Sequence, residues 1–341
     1  MSSNRIEISV KGQWVTVPVL NINGDSVILT GKWFKTAAIH DEQWSERELG
    51  CPELYIETLK RSRPQGLKAD IFTFTQKPSA PAPRYAYPLE WDSVAAANLT
   101  SFKDWWQKLP QETRKNVRRS EKRGVVVKVK EFDDDLIEGI ADVNNDSPIR
   151  QGRRYTHYGK SVEQVRKDHS AFIDRSDFVC AYFENHMIGF LKIVYRGNIA
   201  SILQLTPKAS HQDKRPANAM FAKAVELCET RKISCLTYGM FHYGKKRNNP
   251  ITEFKVRNGL GEVLVPRYYV PLTMRGQLFV KLKLHRGALG ILPGSVIDMG
   301  LAARTKWYSF MQSTSRCSSM PERPNSDRQM GRSNPPAGSN A

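Results

Sequence analysis

The stretch from residue 177 to residue 230 leaves the chain little freedom. "FVCAYFE", "MIGFLKIVY" and "IASILQL" are three apolar segments of strand length, divided only by Asn185-His186 and by Arg196-Gly197-Asn198. Connections that short force neighbouring strands to run antiparallel, so the segments form a β-meander. After the loop "TPKASHQDKR", Pro216 opens a segment with apolar residues at Ala217, Met220, Phe221, Ala224, Val225 and Cys228. That spacing gives one helical face, and the face needs a sheet to cover. A meander carrying one helix therefore forms the centre of the fold.

The flanking sequence extends this centre. "VVVKVKEF" alternates as a half-buried strand, Asp133 to Asp135 start a helix, and "SVEQ" at 161–164 has the form of a capping box. "SCLTY" follows the central helix as a strand, and "VLVPRYYVPL" is expected on a sheet edge because Pro266 has no N–H to donate. Upstream, "WVTVPVL" and "SVILT" join through Asn23-Gly24 as a hairpin, a helix is expected over 52–62, and strands over 70–74 and "YAYPLEW". A Pro-rich connector, 76–85, separates the last two. A helix ending at Gly124 carries Arg114, Lys115, Arg118, Arg119, Lys122 and Arg123 with Val117 as its one strongly apolar residue, so it belongs on the surface.

The expected organisation is a β-rich N-terminal part over 1–100, a central α/β domain over 101–274, a basic amphipathic segment over 275–312 and a disordered tail over 313–341. Residues 276–294 mix Leu, Phe and Val with Lys281, Lys283 and Arg286, which suits docking on the domain or, through 278–292, contact with the inner face of a membrane. Docking is favoured.

A net charge of +18 calls for an anionic partner. The five cysteines show no CxxC pair or His companion, so no metal site or disulfide framework is expected, and a reducing cytoplasm fits. There is no apolar leader and no run of eighteen apolar residues. Ser-His-Asp, HExxH, Walker and GxGxxG patterns do not stand out, which leaves nucleophilic, metallohydrolase, phosphoryl-transfer and hydride chemistry without support.

The order β-α-α-β-β-β-α-β-α-β over 125–272 resembles the GNAT acyltransferase fold. "RKNVRRSEKRGVVVKV" and "ITEFKVRNGLGEV" resemble the entry and the "FK..FG" ending of its FemAB-like branch, with Phe254-Lys255 carrying most of the second match. The resemblance implies an α/β (α+β) protein with a mostly antiparallel sheet and flanking helices, preceded by a reduced first repeat. It also implies transfer of an acyl or aminoacyl group to an amine or hydroxyl of a cell-envelope or polysaccharide precursor or a small metabolite. Acyl-CoA and aminoacyl-tRNA are the candidate donors, and no metal is implied. The family's phosphate cradle falls on Gln212, Lys214, Arg215 and Asn218, but Arg215 stands where the first Gly belongs and Pro216 lacks an amide hydrogen, which weakens the case for acetyl-CoA.

Within that fold the strands 199–205 and 234–238 are expected to part into a slot. "YGKKRNNPITEFKVRNG" would sit at its mouth, with Lys245 and Lys246 toward the donor and Tyr243 and Lys255 toward the acceptor. Arg150, Arg153, Arg154 and Tyr158 in the loop 145–161 suit an acidic or sugar-bearing acceptor. His157 and His242 are the candidate general bases, and Tyr238 a candidate acid. A solvated basic loop and structurally employed histidines explain the same residues without chemistry, and a nucleic-acid binding protein on this scaffold is the competing function.

Overall fold

A computed structural model of the chain describes residues 4–10, 12–42, 48–63, 66–78, 82–150, 152–242 and 250–284. The N-terminal hairpin pairs β1 (Arg5–Val10) with β2 (Gln13–Ile22), which turns at Asn23-Gly24 into β3 (Asp25–Thr30) and on to β4 (Thr36–Ile39). Helix α1 (Pro52–Arg61) starts with Pro at its first turn, where a missing N–H costs nothing, and leads into β5 (Ile71–Thr75), parallel to β4. Strand β6 (Leu89–Asn98) begins only at the end of the expected "YAYPLEW".

Helices α2 (Phe102–Lys108) and α3 (Gln111–Lys122) follow, and Gly124 at φ +81° ends the cationic helix in the left-handed cap. Thr113 and Ser120 are buried and Val117 half-buried, while most of the cations remain on the outside. Then come β7 (Val126–Lys130), α4 (Asp134–Asn145) capped by Asp133, a small hairpin of β8 (Ile149–Arg150) and β9 (Arg153–Arg154), and α5 (Val162–His169) with the full Ser161/Gln164 capping box. The meander is β10 (Ser176–Phe183), β11 (His186–Arg196) and β12 (Ile199–Pro207), with Glu184 and Asn185, both at positive φ, forming the first turn. Helix α6 (Pro216–Thr230), β13 (Cys235–Met240), α7 (Pro250–Arg257), β14 (Gly261–Pro271) and α8 (Met274–Lys281) complete the described chain.

One twelve-stranded sheet runs β1-β2-β3-β4-β5-β14-β6-β13-β12-β11-β10-β7. The first half repeats the second in reduced form: a meander, a helix, then a strand parallel to the meander's last strand. Helices α1 and α6 cover the same sheet face, since Phe72, Phe74 and Tyr268 pack in one core and Ala95, Ala200 and Leu236 in the other. The opposite face is covered by α4 and α5 on Phe178 and Phe190, and at the far end by apolar residues of the first hairpin.

Strand β14 is central, not an edge as expected. It pairs with β5 on one side and β6 on the other. The N–H and C=O of one strand residue point the same way, and Pro266 O accepts from Gln76 N at 3.2 Å. The missing donor therefore faces the place where the β5 ladder, which pairs from Arg267 onward, has run out.

Tyr268 anchors this junction: it is fully buried, its hydroxyl donates to Gln76 Oε1, and it accepts from Arg84 N at 2.9 Å. Gln76 Nε2 in turn holds Ala82 O at 3.0 Å, so the Pro-rich connector is pinned to the sheet. Tyr268→Phe is expected to lower unfolding stability by about 1–3 kcal/mol, because buried polar atoms lose their partner. A reduced urea midpoint at an unchanged slope is the measurement that checks it.

Candidate functional site

Strand β12 pairs with β13 over only Ile199↔Cys235, Ala200↔Leu236 and Ser201↔Thr237. The Ser201 and Thr237 hydroxyls close the paired part at 2.6 Å. Beyond them β13 turns away at Gly239, φ +56°, and joins β6 through Met240↔Val94 and Phe241 N to Ser93 O at 2.7 Å. Strand β12 stays with β11, where the ladder skips Leu203 as a bulge, a device that re-aims side chains beside functional openings. The expected slot between the two strands is thus present.

On the α6 side the slot is walled by Tyr238 and by Lys255 of α7. Lys255 is fully buried, its Nζ donates to Met240 O at 2.6 Å and stands 4.6 Å from the Tyr238 ring centroid. Burial lowers the pKa of this ammonium to about 8. Gly259, φ +82°, ends α7 against the Trp105 ring, and Trp105 Nε1 donates to Asn258 O at 3.0 Å, so α7 is fixed from behind. His242 follows β13 with Nε2 3.7 Å from Glu262 Oε2, and its Nδ1 is buried without a hydrogen-bond partner among the described residues.

On the other face the slot opens onto a cavity of about 480 Å³. Six strands contribute to it: Thr75 from β5, Asp92 and Val94 from β6, Val265 and Arg267 from β14, Arg196 from the end of β11, Ile199 and Ser201 from β12, and Thr237 and Gly239 from β13, joined by Lys77. Arg267 Nε binds Asp92 Oδ2 at 2.6 Å and its NH1 lies 3.4 Å from Glu42 Oε2. Lys77 Nζ donates to Glu42 O at 2.8 Å, and burial, reinforced by the nearby Arg196, lowers its pKa to about 8. None of these cavity residues stood out in the sequence, where their segments read as ordinary strands and a Pro-rich connector.

The corresponding opening in the first half is closed. Past Ala38↔Thr73, Glu42 Oε1 accepts from Thr75 N at 2.5 Å and fills the place a parallel partner would occupy.

At the start of α6, Arg215 holds φ +56°, a left-handed conformation that favours Gly, and its N–H donates to Gln212 O. Pro216 has no N–H and Asn218 N–H returns to Arg215 O, so these amides are not turned outward. Lys214 Nζ lies 3.8 Å over the Phe183 ring and Asn218 Nδ2 reaches Asn258 Oδ1 at 3.4 Å, while Gln212 and Arg215 are exposed. Arg123 of the α3 terminus bonds Asp213 O, which makes the cationic helix continuous with this corner. An anion here would meet side chains more than backbone.

The loop 145–161 is largely structural where it is buried. Arg150 donates to Pro207 O at 2.7 Å and Val143 O at 2.8 Å and lies 4.5 Å over the Tyr155 ring. His157 Nδ1 stands 3.5 Å from Asp168 Oδ2, which also takes Lys160 Nζ at 2.5 Å, while Trp14 Nε1 reaches Asp168 Oδ1 at 3.0 Å. The first hairpin is thereby clasped to α5, with Gly12 against Thr156. Arg153, Arg154 and Tyr158 are exposed. Tyr243, Lys245 and Lys246 lie outside the described residues. Among the described residues no three His, Cys, Asp or Glu side chains group as metal ligands.

No family model and no curated protein matches the chain. Solved structures do. FemX aligns with a TM-score of 0.54 at 9% identity, covering 82% of this chain and 90% of its own. The C-terminal domain of a protein assigned as lysylphosphatidylglycerol synthetase from Agrobacterium fabrum gives 0.52 at 13%, covering 79% and 88%. L-PGS from Bacillus licheniformis gives 0.52 at 12%, covering 80% and 89%. The fold is GNAT-type in its FemAB-like form, an α/β arrangement built on a mostly antiparallel sheet.

Asp168 carries a testable signature. Burial alone would raise its pKa, but His157 at 3.5 Å and the hydrogen bonds from Lys160 and Trp14 outweigh it and hold the carboxyl at about 2. A depressed carboxyl stabilises the fold above its unfolded pKa and stops doing so as pH falls through the folded value, so the clasp loses about 2 kcal/mol between roughly pH 4 and pH 2. Asp168→Asn is expected to be less stable than the parent at pH 7, with the gap closing by pH 2. Thermal melts across that range measure it.

Proposed function

We propose that this protein is an acyltransferase or aminoacyltransferase that passes its group through the β12–β13 slot to an amine or hydroxyl held in the 480 Å³ cavity. The observation that carries the reading is the early end of that ladder: three paired residues, then an opening walled by a buried ammonium on one face and a cavity on the other. A surface that only bound phosphate would have no use for either. The likeness to FemX and to a domain assigned to lysylphosphatidylglycerol synthetase supports transfer of an aminoacyl group.

The donor reaches the slot from the α6 side. Its anionic body lies against Lys214, Arg215, Arg123 and the exposed cations of α3, a surface better suited to the length of a tRNA than to a single pyrophosphate, because Pro216 offers no N–H and those of Arg215 and Asn218 are engaged. Gln212 and Asn218 flank this path. The acceptor enters the cavity with an acidic group toward Lys77, Arg196 and Arg267; Arg153, Arg154 and Tyr158 are exposed on the loop 145–161 and do not line it. A metabolite or the head of a cell-envelope or polysaccharide precursor fits such a volume.

When the acceptor attacks, negative charge grows on the carbonyl oxygen. Lys255, already desolvated and aimed at the slot wall, answers that charge as a cation. The proton lost by the acceptor goes to His242, whose imidazole lies 3.7 Å from the Glu262 carboxylate, while Tyr238 returns a proton to the leaving oxygen. His157 is tied into the clasp and acts only through the loop it holds.

Incubation of the purified chain with acyl-CoA species and with aminoacyl-tRNA, followed by mass spectrometry of what is retained and what is transferred, identifies the donor. Salt-sensitive tRNA binding with no transferred group to any amine or hydroxyl acceptor overturns the enzyme reading. With a working donor, Lys255→Met is expected to lower kcat about 100-fold or more. Since Lys255 is a cation below about pH 8 and neutral above it, turnover should fall as pH rises through 8, and Lys255→Arg should shift that descending limb upward.

A further inference from the structure

The first half carries a second cavity of about 550 Å³ at the end of β5 remote from the slot. Lys32, Lys35, Arg63, Lys68 and Arg275 line it, and none of the five is ion-paired with a described carboxylate. The one acid there, Asp70, is already engaged: Oδ2 accepts from Lys35 N at 2.9 Å and Oδ1 from Thr273 Oγ1 at 3.1 Å. Around this basic hollow stand apolar side chains that a water-facing surface ordinarily hides. Trp33 is 88% exposed and Met274 79%, and Leu278 and Leu282 continue the stripe along α8 at 58% and 55%.

The platform is held firmly. Phe279 stacks on Phe34 with ring centroids 3.7 Å apart, Arg275 donates to Trp33 O at 3.0 Å, and Gly276 brings α8 so near β5 that an added Cβ would lie 2.0 Å from Asp70 O. Exposure of Trp33 and Met274 is therefore a property of a fixed surface.

We infer that this face binds the surface of an anionic bilayer, a lipid phosphate entering the basic hollow while Trp33, Met274 and the α8 leucines enter the headgroup layer. A free phosphate ligand would explain the cations but would leave four large apolar groups in water; a neutral apolar partner would leave the cations without counter-charge. A tryptophan and leucines set among unpaired lysines match the two terms of peripheral membrane binding, apolar burial at the interface and attraction to anionic headgroups. No helix among the described residues is long and apolar enough to cross a membrane, so attachment through this face is peripheral. The inference does not depend on the transferase reading.

The test is co-sedimentation of the full chain with vesicles of phosphatidylcholine alone and of phosphatidylcholine mixed with phosphatidylglycerol. Binding is expected only to the mixed vesicles. Lys32→Glu with Lys68→Glu should lower the partition coefficient about tenfold or more. Trp33→Ala with Met274→Ala should lower it as well, while Arg118→Glu with Lys122→Glu on α3 should leave it unchanged. All six positions are exposed, and circular dichroism confirms that each variant is folded. Failure to bind the mixed vesicles overturns the inference. So does binding that survives both first-half variants but is lost with the α3 variant, or binding displaced by inorganic phosphate at an ionic strength where chloride has no effect.

Discussion

Everything in this molecule hangs on the ladder between β6 and β14, which runs antiparallel from Gly261↔Ala96 to Tyr268↔Leu89. Strand β6 closes the first half of the sequence, yet pairs with β13 of the second; β14 closes the second half, yet pairs with β5 of the first. The two halves are thus stitched by exchanged strands, and neither core is complete without a strand from the other. Tyr268 and Val270 sit in the first core, Ala95 and Ala97 in the second. A cavity lined from both halves is a direct consequence, because the strands that bear its lining are those that cross.

The two halves then diverge in what they do with the same geometry. In each, a parallel pair follows a helix whose first turn carries Pro, and in each the pair covers only three residue matches. Glu42 closes the first opening by accepting Thr75 N–H and meeting Arg267, at the cost of a carboxyl buried deeply enough that its pKa rises. The second opening has no such plug among the described residues; Ser201 and Thr237 end the pairing and Gly239 turns the strand away. One repeat has become support and the other has kept its slot.

Much of this was legible from local signals. The meander, the Asp133 and Ser161 caps, the Gly124 stop and the apolar face of α6 follow from periodicity and capping chemistry, which act over a few residues. The strand exchange was not, because nothing in "VLVPRYYVPL" states which neighbours it will have. Pro266 argued for an edge, and the structure accommodates it centrally by letting the missing donor fall past the end of a ladder. The cavity was illegible for a related reason: Asp92, Arg196 and Arg267 are single polar residues in three strands, far apart in sequence, that meet only after the sheet forms. The arginines of the loop 145–161, with His157 among them, drew attention by their density. Arg150 and His157 turn out to hold the loop to its neighbours at Val143, Pro207 and Asp168, contacts that no sequence pattern distinguishes from a site.

Two buried lysines show how position separates structure from function when energetics do not. Lys192 and Lys255 are both hidden from water, each lies over an aromatic ring, and burial lowers each to about pKa 8. Lys192 donates to His169 O and Ala171 O, carbonyls at and just beyond the end of α5, and so ties a helix end to the meander. Lys255 donates to Met240 O, on the part of β13 that has left its partner β12. A desolvated ammonium is costly wherever it lies, and in the first case the ordering of a helix end accounts for it. In the second the ammonium rests on the wall of the one slot left open, where a cation strengthened by low polarity acts most strongly on charge that appears during a reaction.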